Sequence, residues 1–121
     1  MYYTYMVRCE DNSIYTGITT DVKRRMEEHF SQCEKCAKYT LTHKAQKLEI
    51  VWETENKILA SKLEFRIKQL KKKNKEELIA KNNLEELLSE KLDVSQYKKV
   101  NLVPVLYLHN RIDTDFEEMD G

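Results

Sequence analysis

The sequence lacks a long apolar run and an apolar segment at its start, and it contains few cysteines. Its longest apolar stretches are far too short to cross a bilayer, so they predict no membrane partner. Cys9, Cys33 and Cys36 are an odd number, which argues against a disulfide framework. Because free thiols are typical of a reduced compartment, the sequence predicts a cytoplasmic protein.

A zinc site is the alternative interpretation of these cysteines. Cys33 and Cys36 have the spacing of a zinc knuckle, to which Cys9 and either His29 or His43 could add ligands. A second paired knuckle is missing, so buried or idle thiols are the simpler interpretation.

Glycine and proline are also scarce. Gly17 and Gly121 are the only glycines. Because glycine is the usual choice where the backbone is constrained, Gly17 predicts a turn between a strand and the helix that follows. Pro104, the single proline, limits the apolar segment Val100–His109 to an edge strand or two short strands.

The formal net charge is zero only because the charges of two parts of the chain cancel. Residues 1–81 hold 17 Lys and Arg against 12 Asp and Glu, whereas residues 82–121 hold 4 against 9. The first part therefore carries a positive excess and the second an equal negative one. Such an asymmetry is typical of a nucleic-acid-binding region with an acidic tail attached.

The first residues predict a β-hairpin, and a third strand follows later. Tyr2–Cys9 and Ile14–Thr16 are rich in strand formers, and a polar turn at residues 10–13 separates them. Leu48–Glu53 alternates between apolar and polar side chains, as a half-buried strand does.

The register of this hairpin decides which tyrosines are neighbours. If the turn centres on Asp11, Tyr15 lies opposite Val7 and shares a face of the hairpin with Tyr5. A shift of one residue would separate the two tyrosines.

Helical patterns fill much of the remaining chain. Thr20 or Asp21 can cap a first helix, and Thr54 or Asn56 a second one that ends in a lysine cluster. The predicted helices are residues 21–33, a stretch through Leu59–Leu70 extended to Lys75, residues 76–82 and residues 84–92.

Together these elements predict the α/β class in its α+β form, with a small three-stranded antiparallel sheet flanked by helices. Residues 1–83 would form this domain, and residues 84–121 would add a helix and a C-terminal extension with an acidic tail. The extension could add an edge strand, form a homodimer or lie across the basic face.

Tyr15, Arg25 and His29 group a phenol, a guanidinium and an imidazole near the start of the first helix. Arg25 and His29 are four residues apart and share a helix face, an arrangement suited to phosphate chemistry. Taken alone, each residue has a simpler explanation: a strand tyrosine, a solvated helix face, or for Glu64 a surface pair with Lys68.

The run from Tyr15 to His29, with the tripeptide Tyr15-Thr16-Gly17 at its start, resembles the GIY-YIG endonuclease superfamily. The segment Leu63–Lys68 lies at the family's expected distance, and the chain is most similar to the small single-domain bacterial branch. Tyr3-Thr4-Tyr5 stands where the first family tripeptide is expected but keeps only its final tyrosine. The resemblance covers about residues 1–81.

By this resemblance Tyr5, Tyr15, Arg25, His29 and Glu64 match the catalytic positions, and Glu64 would hold one Mg²⁺ or Mn²⁺. One carboxylate with waters and phosphate oxygens is a common way to hold such an ion. Arg25 would stabilise the charge that develops on the phosphate. A phenol is a poor base unless nearby positive charges favour its anion, and we assign this role to Tyr15, with Tyr5 and His29 orienting water or relaying protons.

The resemblance implies DNA as the partner, and several basic side chains could contact its phosphates. The lysines among them could equally be a solvated helix end that suits the helix dipole. Lys38-Tyr39-Thr40 falls where the small branch also carries Lys and Thr. The candidate DNA-binding residues are Arg24, Lys38, Arg66, Lys68, Lys71, Lys72 and Lys73.

The function predicted most directly is a metal-dependent DNA endonuclease that acts in repair or recombination. No sequence-reading module is visible, so selectivity for DNA structure rather than sequence is expected. A non-catalytic nucleic-acid-binding module on the same fold is the main alternative. A third is an interaction protein whose tail recruits a partner.

Overall fold

The computed structural model describes residues 1–31, Tyr39 and residues 43–102. The strands are β1 (Tyr2–Cys9), β2 (Ile14–Thr19), β3 (Ala45–Thr54) and β4 (Lys98–Lys99). The helices are α1 (Val22–Ser31), α2 (Lys57–Lys68), α3 (Lys72–Lys81) and α4 (Leu84–Leu88), with a 3-10 turn at Val94–Gln96. The strands form one antiparallel sheet in the order β2-β1-β3-β4, which confirms the α+β class.

The hairpin has the predicted register. Tyr15 pairs with Val7 across the ladder, and Tyr5 pairs with Gly17. In the turn, Asn12 adopts a left-handed conformation with φ 71°, and Asp11 accepts hydrogen bonds from the backbone and hydroxyl of Ser13. These local bonds fix the turn length, and the turn length places Tyr5 and Tyr15 on the same face.

The expected number of strands is wrong, because the described part of the chain contains a fourth. β4 pairs with Trp52 and Glu53 of β3. It is an edge strand of the C-terminal extension, one of the alternatives that the sequence left open. Its two lysines are exposed and show no apolar alternation, so the sequence pattern did not locate it. Tyr97 fixes its position by burying its ring and donating a hydrogen bond to the carbonyl of Leu59 at 2.7 Å. Of the predicted segment Val100–His109, residues 103–109 lie outside the described residues.

The lysine cluster opens a helix rather than ending one. α2 ends at Lys68, and the backbone then turns, with the N–H of Leu70 bonded to the carbonyl of Ile67. Lys71 is the cap of α3, and its carbonyl accepts from the N–H groups of Asn74 and Lys75. The predicted dipole explanation therefore fails, because lysines at a helix N-terminus face the positive end of the dipole.

The two other helix starts resolve alternatives that the sequence left open. Asp21 accepts a hydrogen bond from the backbone of Arg24 at 3.1 Å, so Asp21 caps α1. Asn56 accepts from the backbone of Leu59 at 2.9 Å and caps α2. α4 ends at Leu88, four residues before the predicted end.

Two clusters of buried side chains form the core. One joins Met6 and Trp52 of the sheet to α2, α3, α4 and Tyr97, and the other joins Tyr5 and Val51 to Met26 of α1. The indole of Trp52 donates to the side-chain oxygen of Asn82 at 2.8 Å, which ties the end of α3 to the sheet. The division at residue 83 stays a prediction, although α4 and Tyr97 share a cluster with β1 and β3.

α2 contacts both β1 and β2, and α1 contacts β3. β2 is an edge strand of the sheet, so Tyr15 lies at a sheet edge. No helix in the described part of the chain combines the length and apolar character that a membrane span requires.

Candidate active site

Tyr5 and Tyr15 bring two aromatic rings together on the β1–β2 hairpin. Their ring centres are 6.2 Å apart. Tyr5 is 1% exposed, whereas Tyr15 is half-buried. The two phenols therefore meet different surroundings: the side chain of Tyr5 is shut off from solvent, and that of Tyr15 is partly open to it.

Gly17 makes room for this pair. It lies inside β2 rather than in the predicted turn, and its φ is not positive. A Cβ built at Gly17 would lie 2.6 Å from the hydroxyl oxygen of Tyr5 and 3.0 Å from Cε2 of Tyr15. The glycine is therefore required by the close approach of side chains, as is typical of a glycine within a strand.

His29 completes a group of three rings. It is fully buried in α1, and its ring centre lies 5.5 Å from that of Tyr5 and 5.4 Å from that of Tyr15. Nε2 of His29 lies 2.7 Å from the hydroxyl of Tyr5, a hydrogen-bond distance. This buried contact joins α1 directly to β1.

The environment of Tyr5 keeps its phenol protonated. Burial raises the pKa of Tyr5 far above its ordinary value near 10, and a hydrogen bond from Arg25 only partly opposes this shift. Because a guanidinium only donates, the Tyr5 oxygen accepts from Arg25 and its own proton is available to Nε2 of His29. Tyr5 is thus suited to transmit hydrogen bonds and unsuited to act as a base at neutral pH.

Arg25 is held at the edge of this group by Glu28. Its Nη1 lies 2.7 Å from the carboxylate of Glu28, one turn along α1. Hydrogen bonds to Glu28 and Tyr5 raise the pKa of Arg25 although burial opposes them, so the guanidinium stays charged. The structure therefore brings a fixed positive charge to the hydroxyl of Tyr5.

Glu64 reaches the site from α2 together with Lys68. The two side chains form an ion pair at 3.2 Å, as the simpler explanation of Glu64 expected. Nζ of Lys68 lies 5.8 Å from the ring centre of Tyr15, and the charge of Glu64 contributes to the raised pKa of Tyr5. The pair thus lies beside Tyr15 and within electrostatic range of Tyr5.

The five predicted catalytic residues consequently come from four elements. Tyr5 and Tyr15 lie on β1 and β2, and the other three lie around them on α1 and α2. Tyr5, Arg25 and His29 are connected by hydrogen bonds, and Tyr15 touches the group through its ring. Their catalytic roles stay predictions.

Glu64 has the chemistry that a hard divalent ion requires. Its side chain is 23% exposed, and its oxygens are the ligand type that Mg²⁺ and Mn²⁺ prefer. Across residues 1–31, 39 and 43–102, no three His, Cys, Asp or Glu side chains converge on one point. An ion at Glu64 would therefore complete its coordination with waters and substrate oxygens, a mode that suits Mg²⁺.

The alternative zinc site stays a prediction, because its paired cysteines are not described. Cys33 and Cys36 lie outside the described residues. Cys9 is a buried free thiol, and burial raises its pKa.

The predicted DNA-binding residues are distributed unevenly around this site. Lys68 lies beside Tyr15, whereas the guanidinium of Arg66 lies over the ring of Phe65 at 5.3 Å. Lys72 donates to the backbone carbonyl of Asn12 in the hairpin turn. Arg24, Lys71 and Lys73 are exposed, and Lys38 lies outside the described residues.

Sequence reasoning missed the positions of Tyr39 and His43 near the site, and it named Lys75 only as a member of the basic cluster. Tyr39 stacks on Tyr15 with ring centres 5.6 Å apart, and His43 stacks on Tyr39 at 4.1 Å. Lys75 is half-buried and lies near enough to Lys68 for the two charges to interact. Only the aromatic residue within Lys38-Tyr39-Thr40 offered a signal in the sequence.

Residues 1–77 match the GIY-YIG catalytic domain. The chain belongs to this family. Membership in the GIY-YIG family carries with it a nuclease-like fold, and nucleases of this family typically use a divalent metal ion.

Within the GIY-YIG family the chain is similar to small bacterial proteins of the UPF0213 family. It is 50% identical over 80 residues to the UPF0213 protein FN1575 of Fusobacterium nucleatum, covering 66% of this chain and 78% of that protein. It is 38% identical over 97 residues to the UPF0213 protein YhbQ of Salmonella typhimurium, covering 80% and 95%. A solution NMR structure of the UPF0213 protein BH0048 from Bacillus halodurans is 40% identical, with a TM-score of 0.43 and coverage of 66% and 84%.

Replacing Gly17 by Ala tests the packing of the two tyrosines. The added methyl group would collide with the Tyr5 hydroxyl, so we expect a loss of about 1–3 kcal/mol in the free energy of unfolding. Urea denaturation measures it. In a Tyr5→Leu background the same change should cost less, because the colliding atoms are gone. An equal cost in both backgrounds would show that Gly17 is not required by Tyr5.

The raised pKa of Tyr5 predicts a loss of stability at alkaline pH. Above pH 10 the unfolded chain releases the Tyr5 proton while the folded chain keeps it, so folding stability falls as pH rises. Denaturation between pH 9 and pH 11 should therefore show a steeper decline for the wild type than for Tyr5→Phe. Parallel declines would contradict the buried, protonated phenol.

Proposed function

We propose that this chain is a metal-dependent endonuclease that hydrolyses phosphodiester bonds of DNA. The observation that carries the proposal is the junction at Tyr15, where the Tyr5–His29–Arg25 group meets the Glu64–Lys68 pair. A phosphate placed there would meet a carboxylate, a guanidinium and a partly exposed phenol. These are the groups that water activation and charge stabilisation require.

Tyr15 is the base in this proposal. Its side chain is half-buried rather than sealed, so its oxygen can contact an attacking water. Tyr5 cannot take this role near neutral pH, because burial keeps its phenol protonated. Tyr5 and His29 instead orient Tyr15 and the water, since both rings pack against that of Tyr15.

Arg25 stabilises the negative charge of the phosphate in the transition state. Its guanidinium is already restrained by Glu28 and Tyr5, so little side-chain freedom is lost when substrate binds. Such a preorganised donor contributes more than a flexible one, because it needs no rearrangement during the reaction.

Glu64 holds the divalent ion, Mg²⁺ or Mn²⁺. The ion, when bound, polarises the phosphoryl oxygen and stabilises the leaving oxygen. The Glu64 carboxylate pairs with the ammonium of Lys68 at 3.2 Å, and in this proposal Lys68 would contact a phosphate when Glu64 holds the ion. This exchange makes both side chains part of substrate binding.

The substrate is proposed to be branched, nicked or damaged DNA in the cytoplasm, encountered in repair or recombination. In residues 1–31, 39 and 43–102 no group of His, Cys, Asp or Glu side chains could hold the metal ion of a zinc finger, which supports selectivity for DNA structure over sequence. A homodimer formed through the C-terminal extension is a further proposal, of which residues 103–121 lie outside the described residues.

One observation favours a second function, a non-catalytic nucleic-acid-binding module. The carboxylate expected to hold the metal ion is paired with Lys68. If that pair persists when DNA and metal ions are present, the fold would bind phosphates without cleaving them.

Glu64→Gln distinguishes these two functions. With Mg²⁺ or Mn²⁺, we expect the wild type to cleave plasmid or branched DNA and Glu64→Gln to lose at least about a hundredfold in rate, because the only proposed protein ligand of the ion is gone. Gel assays of product formation measure the rates. Glu55→Gln, which removes an exposed carboxylate just before α2, is the matched control and should cleave as the wild type does.

Metal-dependent cleavage at the wild-type rate by Glu64→Gln would contradict the endonuclease assignment of this site. DNA binding without cleavage of any substrate would favour the binding module.

A further inference from the structure

A groove opens beside the proposed active site, between the hairpin turn and the first turn of α3. It has a volume of about 270 Å³. The groove lies next to the catalytic group, because one of its lining residues, Tyr39, stacks on Tyr15. Its lining residues are Asp11, Ser13, Ile14, Tyr39, Lys72 and Lys75.

Positive charge runs from the site along one wall of this groove. Lys68 lies over Tyr15 at the inner end, and Lys72 and Lys75 line the groove itself. Burial, and then the charge of Lys68, lower the pKa of Lys75, so these lysines are near neighbours. No acidic residue occupies the first turn of α3, and lysines there oppose the helix dipole. Lys72 pairs with Glu76 one turn along the helix at 3.9 Å, so helix stability explains Lys72 only in part and leaves Lys75 unexplained.

Tyr39 lines the opposite side and belongs to a stack of aromatic rings. Tyr15, Tyr39 and His43 stack in succession, with ring planes inclined by 27° and 15°. Nδ1 of His43 lies 2.6 Å from the carboxylate of Asp11, so the outer end of the stack is held at the hairpin turn. Because Tyr39 lies between Tyr15 and His43 in this stack, a base in the groove meets the edge of the Tyr39 ring, an arrangement that aromatic pairs also adopt.

Asp11 is the one acidic side chain that lines the groove, and its charge is already engaged. It accepts hydrogen bonds from the backbone and hydroxyl of Ser13 and lies at hydrogen-bond distance from His43. These contacts hold the pKa of Asp11 well below its ordinary range. The lining therefore sets two lysines against one engaged carboxylate, and of these lysines Lys72 also pairs with Glu76 at 3.9 Å.

We propose that this groove binds the nucleotide adjacent to the phosphate that is cleaved. Its base packs with its face against the edge of the Tyr39 ring, and its own phosphate contacts Lys72 and Lys75. Only an unpaired nucleotide exposes the face of its base. The preferred substrate is therefore DNA in which a single-stranded arm leaves the duplex next to the cleaved phosphate. The inference deepens the proposed nuclease function and relies on it only for the position of the cleaved phosphate.

A metal-free binding experiment tests the contact between the base and Tyr39. The probes are a DNA with a splayed single-stranded arm, which carries 2-aminopurine at its first unpaired position, and a blunt duplex of the same length. We expect wild-type protein to quench the fluorophore. Tyr39→Leu should abolish the quenching and weaken binding of the splayed DNA by roughly tenfold, while binding of the blunt duplex changes less than twofold.

The salt dependence of the same binding tests whether Lys72 and Lys75 contact a phosphate. Lys72→Gln and Lys75→Gln should each weaken binding of the splayed DNA several-fold and reduce the slope of log affinity against log salt by about 0.7. Lys81→Gln removes an exposed lysine at the far end of α3 and is the matched control. Circular dichroism of each variant confirms that it is folded.

The outcomes separate this inference from the nuclease proposal. Equal loss of affinity for both DNAs in Tyr39→Leu, or quenching that survives it, would overturn the groove as a nucleotide subsite even if cleavage is normal. Quenching that depends on Tyr39 would support the subsite even if no substrate is cleaved.

Discussion

The buried contact between Tyr5 and His29 is the interaction on which the candidate site depends. It joins the central part of β1 to α1, at a distance of 2.7 Å and with both side chains almost fully buried. An unpaired polar group at that depth would be costly, so the contact fixes α1 against the sheet. Gly17 permits it by leaving out the one methyl group that would displace the Tyr5 hydroxyl.

Different burial of two tyrosines divides the chemistry of the site. Tyr5 is enclosed and stays protonated, so it connects Arg25 and His29 without taking up a proton itself. Tyr15, at the sheet edge, remains partly accessible beside the Glu64–Lys68 pair. In the proposed function, the same hairpin register therefore supplies a rigid hydrogen-bonded support and a reactive phenol.

Much of this arrangement could be predicted from the sequence, because the motif from Tyr15 to His29 is continuous in the chain and its spacing fixes its geometry. The hairpin register followed from a short polar turn. An edge strand from the C-terminal extension was one of the expected alternatives, but its position at Lys98–Lys99 could not be predicted, because two exposed lysines show no alternation and Tyr97 positions them. The groove was also missed, since it forms only when α3 packs near the hairpin turn, and the helix boundary at Lys71 was placed wrongly.

In the proposed function, Tyr15 is the base for water that attacks a phosphate, whose charge Arg25 and a metal ion at Glu64 would stabilise. Single-turnover cleavage of a branched DNA by Tyr15→Phe, with DNA affinity measured in parallel, tests it most directly. We expect a loss of about a hundredfold or more in the cleavage rate with DNA affinity within twofold of the wild type, because only a proton acceptor is removed. Cleavage by Tyr15→Phe at the wild-type rate would contradict it.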